Sequence, residues 1–189
     1  MADQRQTTSI EKDNSSDLEV AVNQFLSSTA KSVRNILCDK FIILDNGLQA
    51  HNALIQHSLA DGAGTTLRIK LLLRDNTIDL EAAINAALTV LQVTNDIVDI
   101  QRDDYILDNG NRSYVACIIY LPAEYPASLI RVKIIEKDDV DKLNTAVNTF
   151  LLANNVTLNT PTIGVLYNQI ANSDGNKLYI CTIPYFPIG

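Results

Sequence analysis

The sequence predicts an α+β fold of three tandem β-α-β-β repeats, each a three-stranded antiparallel sheet with one helix on a face. A helical motif, L-x-x-A-(V/I)-N-x-x-L, begins at Leu18, Leu80 and Leu143, at spacings of 62 and 63 residues. The run I-L-D-N-G also occurs unchanged from Ile43 and from Ile106. Because these matches share one period, they divide the chain into repeats at residues 1–64, 65–126 and 127–189.

The third repeat shows the order of elements most clearly. Residues 130–135 alternate apolar and basic side chains, as a half-buried strand does. The apolar residues of 143–151 fall at helical spacing, and acidic residues precede them, where a helix N-terminus favours negative charge. Two strand-like runs follow, 162–171 and 177–186, joined by an Asn- and Gly-rich segment that predicts a hairpin.

The other two repeats follow the same order with different clarity. In the second repeat, the predicted helix is 78–93 and the predicted strands are 67–73, 97–107 and 113–121. The first repeat is degenerate, because its opening strand at 6–12 is only weakly apolar. Its closing strand carries His51 and His57 at the positions of Tyr114 and Tyr120.

Short connections favour a sheet order of 2-3-1, which places the third strand of each repeat at the centre. That strand is apolar on both faces in 114–120 and in 178–183. The helix of the repeat covers one face, and a second apolar face of this size is rarely exposed on a soluble monomer. We therefore expect self-association, by sheet-to-sheet packing between repeats or chains, with the repeats packed as a pseudo-trimer.

Composition narrows the classes of function. The chain has 22 acidic and 15 basic residues, a net charge of −7, which disfavours nucleic-acid binding through phosphate contacts. It contains no apolar run of the roughly 18 residues that a membrane span needs. Residues 1–17 are polar and lack the apolar centre of a signal peptide. These features predict a cytoplasmic protein.

Three segments together resemble a known family. They are the I-E-K-D run at 10–13 and 135–138, the A-V-N-x-F-L helix, and the aromatic closing strand. The family consists of single-unit, sporulation-associated proteins of Firmicutes and their phages. The resemblance covers the second and third repeats almost entirely, and the first through its helix and hairpin. It implies no catalytic residues, and its phage kinship implies either a virion part or an anti-defence protein.

One polar residue recurs in all three helices, as Asn23, Asn85 and Asn148. Each flanks the apolar stripe of its helix, where an amide can cap an adjacent strand edge or a turn. The alternative is a ligand contact repeated around a pseudo-threefold axis.

Basic residues are also matched between repeats. Arg68 and Lys70 on the first strand of the second repeat correspond to Arg131 and Lys133 in the third. We expect a solvated or ion-paired strand face. The alternative is a site for a small anionic ligand, since arginine binds phosphate in a forked geometry.

The histidine and cysteine residues are poor candidates for a metal site, a catalytic thiol or a disulfide framework. His51 and His57 lie six residues apart on one predicted strand, about 20 Å by strand rise, too far to share a metal. Cys117 and Cys181 align 64 residues apart within apolar strands, where a thiol is a small core residue. With Cys38 the chain has three cysteines, which are too few and too scattered for a disulfide framework.

The densest acidic cluster contains Asp99, Asp103 and Asp104. Paired carboxylates can hold a divalent cation or act as general acid and base, but nothing equivalent stands in the third repeat. A solvated strand edge that resists strand addition is the favoured interpretation.

These patterns predict a non-enzymatic assembly and binding protein without cofactor or metal, and the resemblance implies that it is of phage or Firmicute type. It would sequester a small anionic ligand or dock on a host protein as an anti-defence factor. The alternative is a structural component of a virus particle, a capsid or tail accessory protein. A weaker alternative is a nuclease or hydrolase that uses the acidic cluster.

Overall fold

The computed structural model describes residues 5–43, 49–61, 66–106, 111–122, 129–154, 164–171 and 175–186. Unit 1 contains β1 (Arg5–Lys12), α1 (Ser15–Ser28), β2 (Lys31–Ile43) and β3 (Gln49–Asp61). Unit 2 contains β4 (Arg68–Arg74), α2 (Thr77–Leu91), β5 (Asn95–Ile106) and β6 (Arg112–Pro122). Unit 3 contains β7 (Arg131–Lys137), α3 (Val140–Ala153), β8 (Leu166–Ala171) and β9 (Lys177–Tyr185).

Each unit forms its own three-stranded antiparallel sheet. The strand orders are β1-β3-β2, β4-β6-β5 and β7-β9-β8, so the last strand of every unit is central. The predicted fold class and the 2-3-1 sheet order are therefore confirmed. The first strand of each unit is an edge strand, and no other described strand binds its outward backbone groups.

Side-chain caps set where the helices begin. Asn14 and Asn76 each accept a hydrogen bond from the backbone N–H three residues later, at 2.8 Å. Asp139 accepts from the N–H groups of Asp141 and Lys142 at 2.8 and 3.0 Å. Such caps satisfy donors that the first helical turn leaves unpaired.

Helix α1 lies between two sheets. Its residues Leu18, Val22 and Leu26 are fully buried. On one side they pack against the sheet of unit 1, and on the other against unit 2, in a cluster that includes Ala53, Ile55, Ile69, Leu71, Cys117 and Ile119. Helix α2 has the same position between the sheets of units 2 and 3. The layers therefore alternate, sheet then helix, along the whole stack.

This arrangement corrects two expectations from the sequence. The second apolar face of β6 is covered by the helix of the preceding unit, so the predicted sheet-to-sheet packing is wrong as the main cover. Every substantial contact between described elements of different units joins unit 1 to unit 2 or unit 2 to unit 3. The units thus form an open row instead of the expected closed pseudo-trimer.

Some predicted features fall outside the described residues. The I-L-D-N-G turns lie largely within residues 44–48 and 107–110. In the last hairpin, Gly175 has a φ of 82°, a conformation that glycine adopts without strain, as the turn composition predicted. No helix in the described ranges is long and apolar enough to cross a membrane.

We predict that alkali destabilises the stack through Tyr114, which lies buried on the α2 side of β6. Burial, with the negative charge of Glu136 nearby, raises the pKa of Tyr114 above its ordinary value of about 10. Since the folded state holds this proton more tightly, its stabilising effect is complete below about pH 10 and is lost as pH rises further. Urea midpoints measured across this range should fall less steeply for Tyr114→Phe than for the wild type. Tyr167→Phe, at an exposed position, is the control, and equal slopes for all three proteins would contradict the prediction.

Candidate functional site

The asparagine shared by the helices binds the edge strand of the next unit. The amide of Asn23 donates to the C=O of Ile69 at 3.0 Å and accepts from the N–H of Ile69 at 2.9 Å. Asn85 makes both bonds to Val132, each at 2.9 Å. The side chain of α1 or α2 thus replaces a missing strand, which confirms the predicted capping of a strand edge for these two residues.

A glutamate one turn earlier extends the same contact. Glu19 accepts from the N–H of Leu71 at 2.8 Å and pairs with the ammonium of Lys70 at 3.0 Å. In the next unit, Glu81 accepts from the N–H of Ile134 at 2.7 Å and pairs with Lys133 at 3.0 Å. We call this set of helix-to-edge contacts a joint. The described residues form one joint between units 1 and 2 and a second between units 2 and 3.

Three of the four matched cations of the sequence also belong to the joints. Lys70 and Lys133 are ion-paired as described, which agrees with the favoured interpretation of an ion-paired strand face. Arg131 donates to the C=O of Asn85 at 3.0 Å and to the hydroxyl of Thr89 at 2.6 Å. Arg68 donates to the C=O of Leu67 at 2.7 Å. The geometry therefore places these side chains on protein groups, and the alternative of anion binding stays a prediction.

Gln92 adds a further contact to the second joint. This residue was not predicted from the sequence. Its amide is buried and binds both the C=O and the N–H of Ile130, at 2.9 and 2.8 Å. Unit 1 has Ala30 at the corresponding position, so no repeated pattern marks this residue.

Strand β5 provides a second set of contacts between units. Gln101 donates to the C=O of Ile36 at 2.6 Å and accepts from the N–H of Cys38 at 3.0 Å, which caps the edge strand β2 of unit 1. Its neighbour in the strand, Arg102, faces unit 3, because successive side chains point to opposite faces of a sheet.

Arg102 forms a buried ion pair at the boundary of units 2 and 3. The side chains of Arg102 and Asp104 are 3% and 0% exposed and lie 2.6 Å apart. Arg102 also donates to the hydroxyl of Thr182 at 2.6 Å, and Asn168 donates to Asp104 at 2.8 Å. These partners satisfy the charges and tie β5 to β8 and β9.

The acidic cluster of the sequence does not converge on one point. Asp99 and Asp103 pair with Ile119 and Val115 on the α1 side of β6, whereas Asp104 pairs with Tyr114 on the α2 side. Asp99 itself accepts from the amide of Gln101 at 3.0 Å. Within the described ranges, no group of three or more His, Cys, Asp or Glu side chains is placed to hold a metal ion.

The histidines lie on the buried face of unit 1. His57 contacts the hydroxyl of Thr8 and the C=O of Ser58, both at 2.9 Å, and its ring lies 5.9 Å from that of Phe25. A carbonyl oxygen only accepts hydrogen bonds, so Nδ1 donates to Ser58, whereas the hydroxyl of Thr8 can donate to or accept from Nε2. His51 is also buried, six residues away on the same strand. These contacts hold β3 against β1 and α1.

The cysteines are buried and free, but their predicted alignment is wrong. Cys117 pairs with Leu71 and lies on the α1 side, while Cys181 pairs with Ile135 and lies beside α3. The strand register makes Thr182 the counterpart of Cys117, because Thr182 pairs with Ile134. Burial raises the pKa of the Cys181 thiol, which disfavours the reactive thiolate.

The described residues form no joint at either end of the row. Asn148 is exposed on α3, and so is Asn144, which replaces the glutamate of the other helices. Val147 and Leu151 are only half-buried, although their counterparts in α1 and α2 are fully buried. Leu152, on the same side, is 83% exposed. We call these five residues the outer face of α3.

Unit 1 presents the opposite half of a joint. Strand β1 packs mainly on β3 and α1, and no described helix covers its outward edge. Thr7 and Ser9 are exposed there, in the positions that the apolar Ile69 and Leu71 occupy in β4.

Comparisons with protein-family models, curated proteins and solved structures give no match to this chain.

We predict that Asn85→Ala destabilises the protein by about 1–3 kcal/mol, because it leaves the buried N–H and C=O of Val132 without partners. Asn148→Ala removes the same side chain at an exposed position and is the matched control, with an expected effect near zero. Urea denaturation measures both. Equal losses would mean that the asparagine acts through its own helix and not through the joint.

We also predict that Asp104→Ala costs roughly 3–5 kcal/mol, because it leaves the buried guanidinium of Arg102 unpaired. The double variant Arg102→Met, Asp104→Leu should lose less than the single one, since it removes both charges. Asp138→Ala, which breaks the exposed pair with Lys142, serves as control and should leave the urea midpoint close to the wild-type value. A single variant as stable as this control would rule out the buried pair as a tie between units.

Proposed function

We propose that this chain is a non-enzymatic assembly and binding protein that docks on a protein target. Its three units pack in a row, and its binding surface is the outer face of α3. The phage and Firmicute kinship that the sequence resemblance implies would make the target a host protein, in an anti-defence role.

The observation that carries the proposal is the reuse of one surface. In α1 and α2, the face with the shared asparagine binds a neighbouring sheet through backbone hydrogen bonds and apolar contacts. In α3 the equivalent face carries Asn148, Val147 and Leu151 and meets no further unit within the described residues. A helix face built for protein contact and left exposed is typical of a docking site.

The contacts favour a protein target over a small anion. Three of the four matched cations are engaged across the joints: Lys70 and Lys133 pair with glutamates, and Arg131 binds two groups of α2. The fourth, Arg68, donates to the C=O of its neighbour Leu67. Binding an anion there would require breaking these pairs, and with them the joints.

The proposal is tested by cross-linking capture in extracts of a sporulating Firmicute, with Leu152→Asp as the test variant and Val90→Asp as the control. Both changes put a charge on an exposed apolar position of a helix, but Val90 lies on α2, away from the outer face of α3. A genuine target should be retained by the wild type and by Val90→Asp, lost with Leu152→Asp, and bound again when purified.

A thermal-shift screen with nucleotides and inorganic phosphate separates the alternatives. We expect no change in the melting temperature, because the joint cations are already paired. Stabilisation by a nucleotide that disappears in Lys133→Met would contradict protein docking and favour sequestration of an anion.

A further inference from the structure

We propose that the outer face of α3 also binds the free edge of β1 in a second copy of this chain, forming a third joint between molecules. This inference rests on the docking surface proposed above and commits to one further occupant, a second copy of the chain. The copies would associate head to tail, with unit 3 of one against unit 1 of the next.

The strand register places the right backbone groups on β1. Thr7 pairs with Gln56 as Ile69 pairs with Ile119 and Val132 with Pro184. In antiparallel strands, successive residues direct their N–H and C=O groups alternately towards the partner strand and away from it. Since Ile69 and Val132 present both groups outward to an asparagine, Thr7 presents its own outward in the same way.

Helix α3 supplies the complementary half. Asn148 stands one motif period after Asn85 and is exposed, so its amide is available to bind one N–H and one C=O. This recognition uses only backbone groups of the strand, and it therefore tolerates Thr7 in place of isoleucine or valine. Val147 and Leu151, half-buried at present, would gain the cover that Ile84 and Leu88 have in α2.

The intermolecular joint should be weaker than the two internal ones. Asn144 cannot provide the ion pair that Glu19 and Glu81 make, and the polar Thr7 and Ser9 bury less apolar surface than their counterparts. Association should therefore depend on concentration. Because the contact joins two different surfaces, it is heterologous and builds chains or rings of molecules instead of stopping at a symmetric dimer.

Two variants remove one half of the joint each. Asn148→Ala deletes the amide of α3. Thr7→Pro deletes the outward N–H of β1, a change that an edge strand tolerates because that group does not bind β3. Thr7→Ala keeps the N–H and is the matched control. Circular dichroism and thermal melts should show that all three fold like the wild type.

Sedimentation velocity over a wide concentration range is the measurement. We expect the wild type and Thr7→Ala to shift from monomer to larger species, and each of the other two variants to require about tenfold higher concentration or more. Mixing Asn148→Ala with Thr7→Pro should restore association at the wild-type concentration but stop at two chains, because one intact α3 face meets one intact β1 edge.

Three results would overturn the inference. They are a wild type that stays monomeric throughout, a Thr7→Pro variant that associates like the wild type, and a mixture that gains nothing. The second result would instead indicate a symmetric contact between two α3 helices. None of them affects capture of a different protein on the outer face of α3, so failure here is distinguishable from failure of the proposed function.

Discussion

The unpaired edge of a β-sheet is the constraint on which the rest of this structure depends. Each unit begins with an edge strand, and its outward N–H and C=O groups require partners wherever they are buried. In units 2 and 3, the helix of the preceding unit provides these partners through an asparagine and a glutamate one turn apart. The side-chain amide binds the N–H and the C=O of a single residue of the edge strand. This contact therefore fixes the position along the edge strand at which each helix meets the next sheet. The apolar packing of α1 and α2 between two sheets follows from that position.

The same constraint explains why the repeats have diverged. No described helix covers the outward edge of β1, and the outer strand face is polar there, with Thr7 and Ser9 where the later units bury apolar residues. Terminal repeats of stacked proteins commonly carry such a polar outer face. At the other end of the row, no described sheet covers the outer face of α3, where Asn144 stands in the glutamate position and Asn148 in the position of the shared asparagine. This end differs from a simple polar cap, because it keeps the asparagine and exposes apolar side chains around it.

The features that recur in the repeats could be predicted from the sequence, whereas the contacts made at only one boundary could not. The units, the helices and the sheet order came from motifs at one period, and the capping role of Asn23 and Asn85 came from their recurrence. Gln92, Gln101 and Arg102 were missed because each acts at only one boundary and has no counterpart at the same position in the other repeats. The alternation of sheets and helices in the stack also could not be predicted from the sequence. The pattern of β6 showed that both faces are apolar, but nothing in it distinguished a neighbouring helix from a neighbouring sheet as the cover.

Hydrogen exchange of the outward edge amides tests the central claim most directly. In dilute solution, where chains are separate, the N–H groups of Ile69 and Val132 should exchange slowly because an asparagine holds each of them. The N–H of Thr7, in the same register on β1, should exchange close to the rate of an unfolded chain. In Asn23→Ala, the amide of Ile69 should lose protection while that of Val132 keeps it. Equal exchange at Ile69 and Thr7 in the wild type would contradict the account.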